Sequence, residues 1–249
     1  MKLSTEDLNR YKRQIPIKEI QIKGQERLKS SKIIVIGVGG LGSPVSIYLA
    51  ASGIGNLTII DYDKVDLSNL NRQILHNEKN LGKSKVESAL ENLLRFNSAI
   101  NIRGINKKID EKNVVELLSG HDLIIDCLDN FKTRYLINDT ACKLNIPLFH
   151  GGIYECYGQI TIIIPNETAC LECIMPQNQN SKNNNFFVLG ATACIVRGML
   201  AGEVIKYLIG IEKILKGKLL LYDLFNLKYI IVDTLKRDDC PVCGGNKCQ

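Results

Sequence analysis

Four groups of residues in this 249-residue chain have the types and spacing to do chemistry. The first is Gly37-Val-Gly39-Gly40-Leu-Gly42, a G-x-G-x-x-G turn after an apolar run and before a helical pattern. Glycines there let backbone N–H groups approach a phosphate at the positive end of a helix. Asp61 follows 19 residues after Gly42, closing the next apolar run, where an acid can bind ribose hydroxyls. These residues alone specify an adenine nucleotide, as a nicotinamide-dependent dehydrogenase or an ATP-using enzyme would hold it. A tight structural turn is the remaining alternative.

The second group is Ser68-Asn69-Leu70-Asn71-Arg72-Gln73, followed by Gly82-Lys-Ser-Lys85 at the start of a helical segment. A dehydrogenase only holds its pyrophosphate, whereas nucleotidyl transfer builds charge on phosphorus and on the departing pyrophosphate. Arg72 and Lys85 answer that charge, although either alone would read as a solvated surface cation. The third group is Asp126-Cys-Leu-Asp129-Asn130, at the carboxyl end of a strand, where open α/β folds place ligands. An acid there, Asp129, can hold magnesium on phosphates.

Two Cys-x-x-Cys pairs, Cys170/Cys173 and Cys240/Cys243, make the fourth group. They suggest one closed, structural four-thiolate zinc site, with a redox pair or plain buried thiols as alternatives. The 66 residues between Cys173 and Cys240 exceed an ordinary zinc ribbon, so the fold must bring the pairs together. Most of the other cysteines (Cys127, Cys142, Cys156, Cys194 and Cys248) read as small buried apolar residues, whereas Cys248, beside Lys247, reads as a tail thiol open to solvent.

These groups need a frame, and from Ser31 the chain alternates short apolar runs with amphipathic segments. Strands are expected at Lys32–Ile36, Asn56–Ile60, Leu123–Cys127 and Ile146–Phe149. Helices are expected after the glycine turn, with Pro44 as first residue, and at Lys83–Asn97 and Thr133–Leu144. The rhythm then changes: Gly158–Ile164, Lys218–Tyr222 and Tyr229–Thr234 read as antiparallel or mixed strands, with a long helix at Gly190–Ile209 among them. Asn178–Asn185 is polar and reads as a loop. The expected fold is one α/β unit, a Rossmann-like doubly wound mostly parallel sheet with a mixed second half and a zinc-bound C-terminal tail. Residues 1–30 would form a helical arm, 31–150 the nucleotide-binding half and 151–249 a second half that holds the zinc site.

Composition excludes several classes. With 45% hydrophobic and 23% charged residues the chain can bury a core without staples. Its first twenty residues are polar and charged, so no signal peptide is expected and the cytoplasm is the expected compartment. The best membrane candidate, Val188 to Ile211, carries Arg197, Glu203 and Lys206. Each would cost about 2.5–3.5 kcal/mol at a bilayer centre, so a buried helix is expected instead. The net charge of +6 is spread along the chain and Trp is absent, which argues against nucleic acid as a partner.

The motifs together resemble the ThiF/MoeB/HesA adenylyltransferases, relatives of ubiquitin-activating enzymes. The matching stretches are Tyr11-Lys-Arg13-Gln-Ile, Gly37–Gly42, Asp61-Tyr-Asp63, Ser68–Gln73, Gly82–Lys85, Asp126–Asn130 and both cysteine pairs. The resemblance implies ATP-dependent adenylation of the C-terminal glycine carboxylate of a small ubiquitin-fold sulfur carrier, ThiS- or MoaD-like, ending in Gly-Gly. Thiamine or molybdopterin synthesis would be served, with sulfur from a separate donor. Position by position, Gly40, Asp61, Ser68, Asn69, Leu70, Asn71, Arg72, Lys85, Asp129 and Asn130 match the family's ATP site. Gly37, Gly39, Gly42, Asp63 and Gln73 stand within the same stretches and are expected there too. Arg13 matches an arginine that the family supplies across a homodimer interface.

A carboxylate is already an anionic nucleophile, so no general base is required. Catalysis would be positioning plus neutralisation: Arg72 and Lys85 on the phosphates, Arg13 from the partner, Asp129 on magnesium. His76, His121 and His150 are expected to be capped or surface residues, not proton carriers. Many family members carry a cysteine about a dozen residues past the second zinc cysteine, bonded covalently to the carrier. Here that stretch holds asparagines, and the nearest thiol, Cys194, falls inside an apolar helix, where burial would make it unreactive. The reaction is therefore expected to stop at the acyl-adenylate. A Rossmann-fold NAD-dependent oxidoreductase and a non-catalytic nucleotide and zinc module are the rival readings.

Overall fold

The computed structural model describes residues 1–177 and 187–244; the Asn178–Asn185 run and Cys248 lie outside the described residues. Helices α1 (Thr5–Arg10) and α2 (Gln21–Ser30) lead into β1 (Lys32–Ile36), α3 (Gly42–Ser52) and β2 (Asn56–Asp61). Next come α4 (Lys85–Phe96), β3 (Asn101–Asn106), α5 (Val114–Leu118), β4 (Leu123–Asp126) and α6 (Phe131–Leu144). The chain continues through β5 (Leu148–Tyr154), β6 (Tyr157–Ile163), α7 (Leu171–Ile174), α8 (Gly190–Ile209), β7 (Lys218–Asp223) and β8 (Lys228–Asp233).

The eight strands among the described residues join one sheet in the order β3-β2-β1-β4-β5-β6-β7-β8. β1 to β5 are parallel, and β6, β7 and β8 add antiparallel. The expected parallel half and antiparallel second half are both present. The winding reverses between β1 and β4, which opens a crevice at the carboxyl ends of those strands. Register sets what lines it: Ile36 pairs with Ile60 and Asp126, and Asp126 pairs with His150.

The Ile33-Ile34-Val35-Ile36 run of β1 is buried on both faces, as a central parallel strand requires. Alternation sends Ile33 and Val35 into a core with α3, α4 and α8, and Ile34 and Ile36 into a second core with α5, α6 and the paired cysteines. The Val188–Ile211 segment supplies α8, packed against α2, α3, β5 and β6. Among the described residues no helix is long and apolar enough to cross a membrane.

Several features differ from the sequence expectation: α5 and α7 were not anticipated, and β5 runs Leu148–Tyr154 where Ile146–Phe149 was expected. Pro44 is the third residue of α3, not the first, because the helix begins at Gly42. The first four helical N–H groups have no intrahelical acceptor, so proline fits anywhere in that turn. Strand β3 was not anticipated: Asn-Ile-Arg-Gly-Ile-Asn lies at the sheet edge, half-buried, with only two apolar side chains. Its Gly104 lets α4 lie close, since a Cβ there would come 2.4 Å from Val86 Cγ1.

Candidate active site

At the topological switch point lies an open cleft between the ends of β1, β2 and β4. Its floor is the glycine turn. Gly37 has φ +89°, a left-handed conformation, and a Cβ there would stand 2.8 Å from the Cys127 carbonyl oxygen. Gly42 does not line the cleft; a Cβ on it would strike the Gly37 carbonyl oxygen at 1.8 Å, so its glycine serves the packing of α3 under the turn. Asp61, at the end of β2, accepts the Val38 N–H at 2.9 Å with Oδ2, and the Tyr62 and Asp63 N–H groups with Oδ1. From beneath, His76 Nε2 donates to the Val38 carbonyl at 3.0 Å while Nδ1 accepts from the Ser88 hydroxyl at 2.8 Å. Burial lowers the His76 pKa and favours the neutral ring.

The expected cations stand over this floor. Lys85 is the first residue of α4, whose N-cap Ser84 accepts the Glu87 N–H. Its side chain is 8% exposed and its Nζ donates to Asp63 Oδ2 at 2.9 Å. Arg72 Nη1 donates to the Ser68 carbonyl at 2.8 Å and to Asn71 Oδ1 at 2.9 Å. A Cβ on Gly40 would stand 3.3 Å from Arg72 Cγ, so the arginine lies directly above the turn. Gln73 is buried beside Gly39, and its Oε1 has no hydrogen-bond partner among the described residues. Ser68, Asn69, Leu70 and Asn71 do not line the cleft. The 3-10 turn Leu67–Asn69, capped by Asp66, instead sets up the carbonyl that holds Arg72.

Asp129 is exposed on the opposite lip, and Asn130 Oδ1 caps α6 by accepting the Thr133 N–H at 2.9 Å. Behind them Asp126 is buried, receiving His150 Nδ1–H at 2.7 Å and lying 3.5 Å from Arg134 Nε. Burial pushes the Asp126 carboxyl up, but Arg134, His150 and the Leu128 N–H outweigh it, and its pKa lies below the ordinary value. Thus Gly37, Gly39, Gly40, Asp61, Asp63, Arg72, Gln73, Lys85, Asp129 and Asn130 converge on one cleft. Arg13 is exposed and does not line it. Neither His76 nor His150 is at the surface, and His121 is half-buried between the Leu118 carbonyl and the Thr58 hydroxyl.

Sequence reasoning missed Tyr62, Lys107, Lys108 and Arg134, all lining the cleft. Lys107 and Lys108 follow the unrecognised β3, and Lys108 Nζ sits 5.6 Å from the Tyr62 ring centroid. Arg134 carried a usable signal, standing four residues after the Asn130 cap and so one turn into α6. Its guanidinium donates to the Leu128 carbonyl and lies 5.4 Å over the Phe131 ring. It also borders a second, mostly apolar groove formed by β5, β6, β7 and β8.

Away from the cleft, the four paired cysteines place their sulfurs within 4.8 Å of one another. Cys170 and Cys240 are 3.6 Å apart, and Cys173 and Cys243 3.4 Å. These separations are far beyond a disulfide bond and close to the ~3.8 Å between thiolates around a tetrahedral zinc. The donor set therefore fits such an ion. Cys194 is half-buried, not fully buried as expected, because Ala193, Val196 and Arg197 occupy the inner face of α8.

Residues 11–242 match the ThiF family. The chain is 40% identical over 249 residues to the adenylyltransferase and sulfurtransferase MOCS3 of Drosophila persimilis, covering 98% of this chain and 55% of that protein. It therefore spans about half the length of that relative. A sulfur carrier protein adenylyltransferase of Thermus thermophilus is 35% identical over 258 residues, covering 100% of this chain and 95% of the relative. E. coli MccB crystallised with ATP superposes with a TM-score of 0.79 at 26% identity, covering 90% of this chain and 70% of MccB. A family match over residues 11–242, joined to a glycine turn, paired cations and four gathered cysteines in the expected order, establishes that this chain belongs to the ThiF family.

Proposed function

We propose that the protein adenylates the C-terminal glycine carboxylate of a small ubiquitin-fold sulfur carrier, consuming ATP and releasing pyrophosphate. The observation that carries this reading is the convergence of Arg72, Lys85 and Asp129 on the glycine turn in one cleft. A nucleotide held only for hydride transfer has no use for that pair of cations.

In this reading the turn's N–H groups and the N-terminus of α3 hold phosphate oxygens. Asp61 faces the ribose, and the unpartnered Gln73 Oε1 is free to accept from the bound nucleotide. Arg72 and Lys85 neutralise the charge that grows on the pentacovalent phosphorus and on the leaving pyrophosphate. The carrier carboxylate attacks the α-phosphorus directly, and no side chain has to remove a proton. Magnesium bound at Asp129 and Asp63 would neutralise phosphate charge. Zinc held by Cys170, Cys173, Cys240 and Cys243 would tie the C-terminal segment to the region around α7 and take no part in the chemistry.

The carrier tail would reach the cleft along the apolar groove beyond Arg134, and a second copy of the chain would supply Arg13. Sulfur would then come from a separate donor to the acyl-adenylate, for thiamine or molybdopterin synthesis. The deciding experiment is ATP–pyrophosphate exchange with and without an added Gly-Gly-terminated carrier. Exchange that needs the carrier supports the proposal, and its absence with ThiS- and MoaD-type carriers alike would overturn it.

A further inference from the structure

Two depressions of the molecule meet at one side chain. The nucleotide cleft and the mostly apolar groove of β5 to β8 share Ile153 and Arg134 as lining residues, and of these Arg134 carries the charge. A tail lying in the groove among Tyr154, Tyr157, Met175 and Leu221 has to pass the Arg134 guanidinium to reach the glycine turn. A carboxylate that leaves water along such a wall is costly to place unless a charged donor meets it. Among the described residues the other cation of the groove is Lys228, which stands opposite Asp223 in the β7–β8 register.

Arg134 is 6% exposed, and its guanidinium is held from several sides. Nη2 donates to the Leu128 carbonyl, Cζ lies 5.4 Å over the Phe131 ring, and Nε lies 3.5 Å from Asp126 Oδ2. Asp126 is itself fixed by His150 Nδ1–H at 2.7 Å. The other ring nitrogen, His150 Nε2, faces the Gln159 amide of the groove wall at 3.4 Å. Nη1 of Arg134 has no acceptor among the described residues. An arginine tethered in this way has little rotamer freedom left to lose, so the donor it presents to a ligand is preorganised.

We propose that Arg134 receives the carrier's C-terminal carboxylate where the groove opens into the cleft, its guanidinium donating to one carboxylate oxygen while the other attacks the α-phosphorus. This rests on the reading that the protein adenylates such a carboxylate. The attacking oxygen bonds to phosphorus as the bond to pyrophosphate breaks, and Arg134 transfers no proton. Because Asp126 already shares its charge, the guanidinium aligns the carboxylate more than it neutralises it, and the free oxygen stays nucleophilic. The consequence is selectivity for a free C-terminus, since an amidated tail lacks the anion that Arg134 meets.

The test compares two probes, a Gly-Gly-terminated ThiS- or MoaD-type carrier and the same carrier with its C-terminus amidated. Affinities are read by calorimetry on the full chain saturated with an ATP analogue carrying a methylene bridge between the α- and β-phosphates, so that no adenylate forms. Wild type should bind the carboxylate form about 10- to 100-fold more tightly, the range of a hydrogen bond to a charged group. Arg134→Met should bring that ratio to within about threefold of unity, and Arg134→Lys, which keeps a cation beside Asp126, should lie between. Should Arg134→Met fail to fold, the lysine variant decides alone, with a ratio at least about threefold below wild type expected. A wild-type chain that binds both forms alike would overturn the proposal, as would a wild-type ratio in the deciding variant. Carrier-dependent pyrophosphate exchange by wild type is measured alongside, and its absence would overturn the adenylation reading itself.

Discussion

The Asp61 carboxylate accepts the Val38 amide hydrogen at 2.9 Å, so the end of β2 ties down the glycine turn that follows β1. Its second oxygen receives the Tyr62 and Asp63 N–H groups at 2.7 and 2.9 Å. One side chain thus shapes the floor of the cleft and the strand exit beside it. An acid at this position serves the apo fold before any ribose arrives.

Asp61→Ala should therefore destabilise the folded chain as well as weaken nucleotide binding. Leaving the buried Val38 N–H without an acceptor costs about 1–3 kcal/mol. Asp61→Asn keeps one acceptor oxygen and should lose less. Urea denaturation of both variants, beside calorimetric ATP titration, checks the order. Equal stability of Asp61→Ala and wild type would refute the tie.

Arg72→Ala and Lys85→Ala should each lower the pyrophosphate-exchange rate about 100- to 1,000-fold, since each removes a preorganised charge from the transition state. Arg72→Ala should leave the melting temperature nearly unchanged, because its guanidinium contacts lie at the surface. Exchange by Arg72→Ala within about threefold of wild type would remove Arg72 from the mechanism.

Arg13 is exposed and absent from the cleft of its own chain, which suits a side chain delivered to a second protomer. Arg13→Ala and Lys85→Ala should each be inactive alone. Mixed under conditions of demonstrated subunit exchange, they should form heterodimers with one intact site and regain part of the activity. No recovery would confine Arg13 to its own chain.

Burial depresses the pKa of His76, His121 and His150 below the ordinary 6.5. For His150 the Asp126 carboxylate opposes burial, but burial prevails, and Arg134 and Arg197 act in the same direction as burial. The unfolded chain then binds more protons than the folded one as pH falls below about 6.5. The stability these rings contribute is complete above that pH and is lost on acidification through the depressed folded values. A lower urea midpoint at about pH 5.5 than at about pH 7.5 is expected, and an equal or higher one would contradict the assignment.

With asparagines where relatives place a nucleophilic cysteine, no covalent enzyme–carrier species is expected. Enzyme, carrier and ATP resolved on a denaturing gel should show no band that reductant removes. Such a band, lost in Cys194→Ser or Cys248→Ser, would show that another thiol has taken over the later step.

Much of the frame was legible from local pattern. Runs such as Ile33–Ile36 and Leu123–Ile125 are apolar on both faces and admit only a central strand or a buried helix, and the glycine turn and the Asp129-Asn130 cap settle the choice. Arg72, Lys85, Asp129 and both cysteine pairs were visible because charge and thiol chemistry show in residue type and spacing. The edge strand β3 was not, since half its side chains face solvent and its pattern fades into loop composition. Lys107 and Lys108 were lost with it.

Other features belong to tertiary structure alone. Asp126, His150 and Arg134 are distant in the chain and meet because β4 and β5 pair in one register and α6 folds back over them. Asn138 gains the Leu171 N–H as a donor only when α7 docks against α6. A motif records contacts made through fixed sequence spacing, which backbone geometry enforces locally. Contacts made through strand register and helix docking depend on where whole elements pack, and packing is decided by the burial of both apolar layers at once.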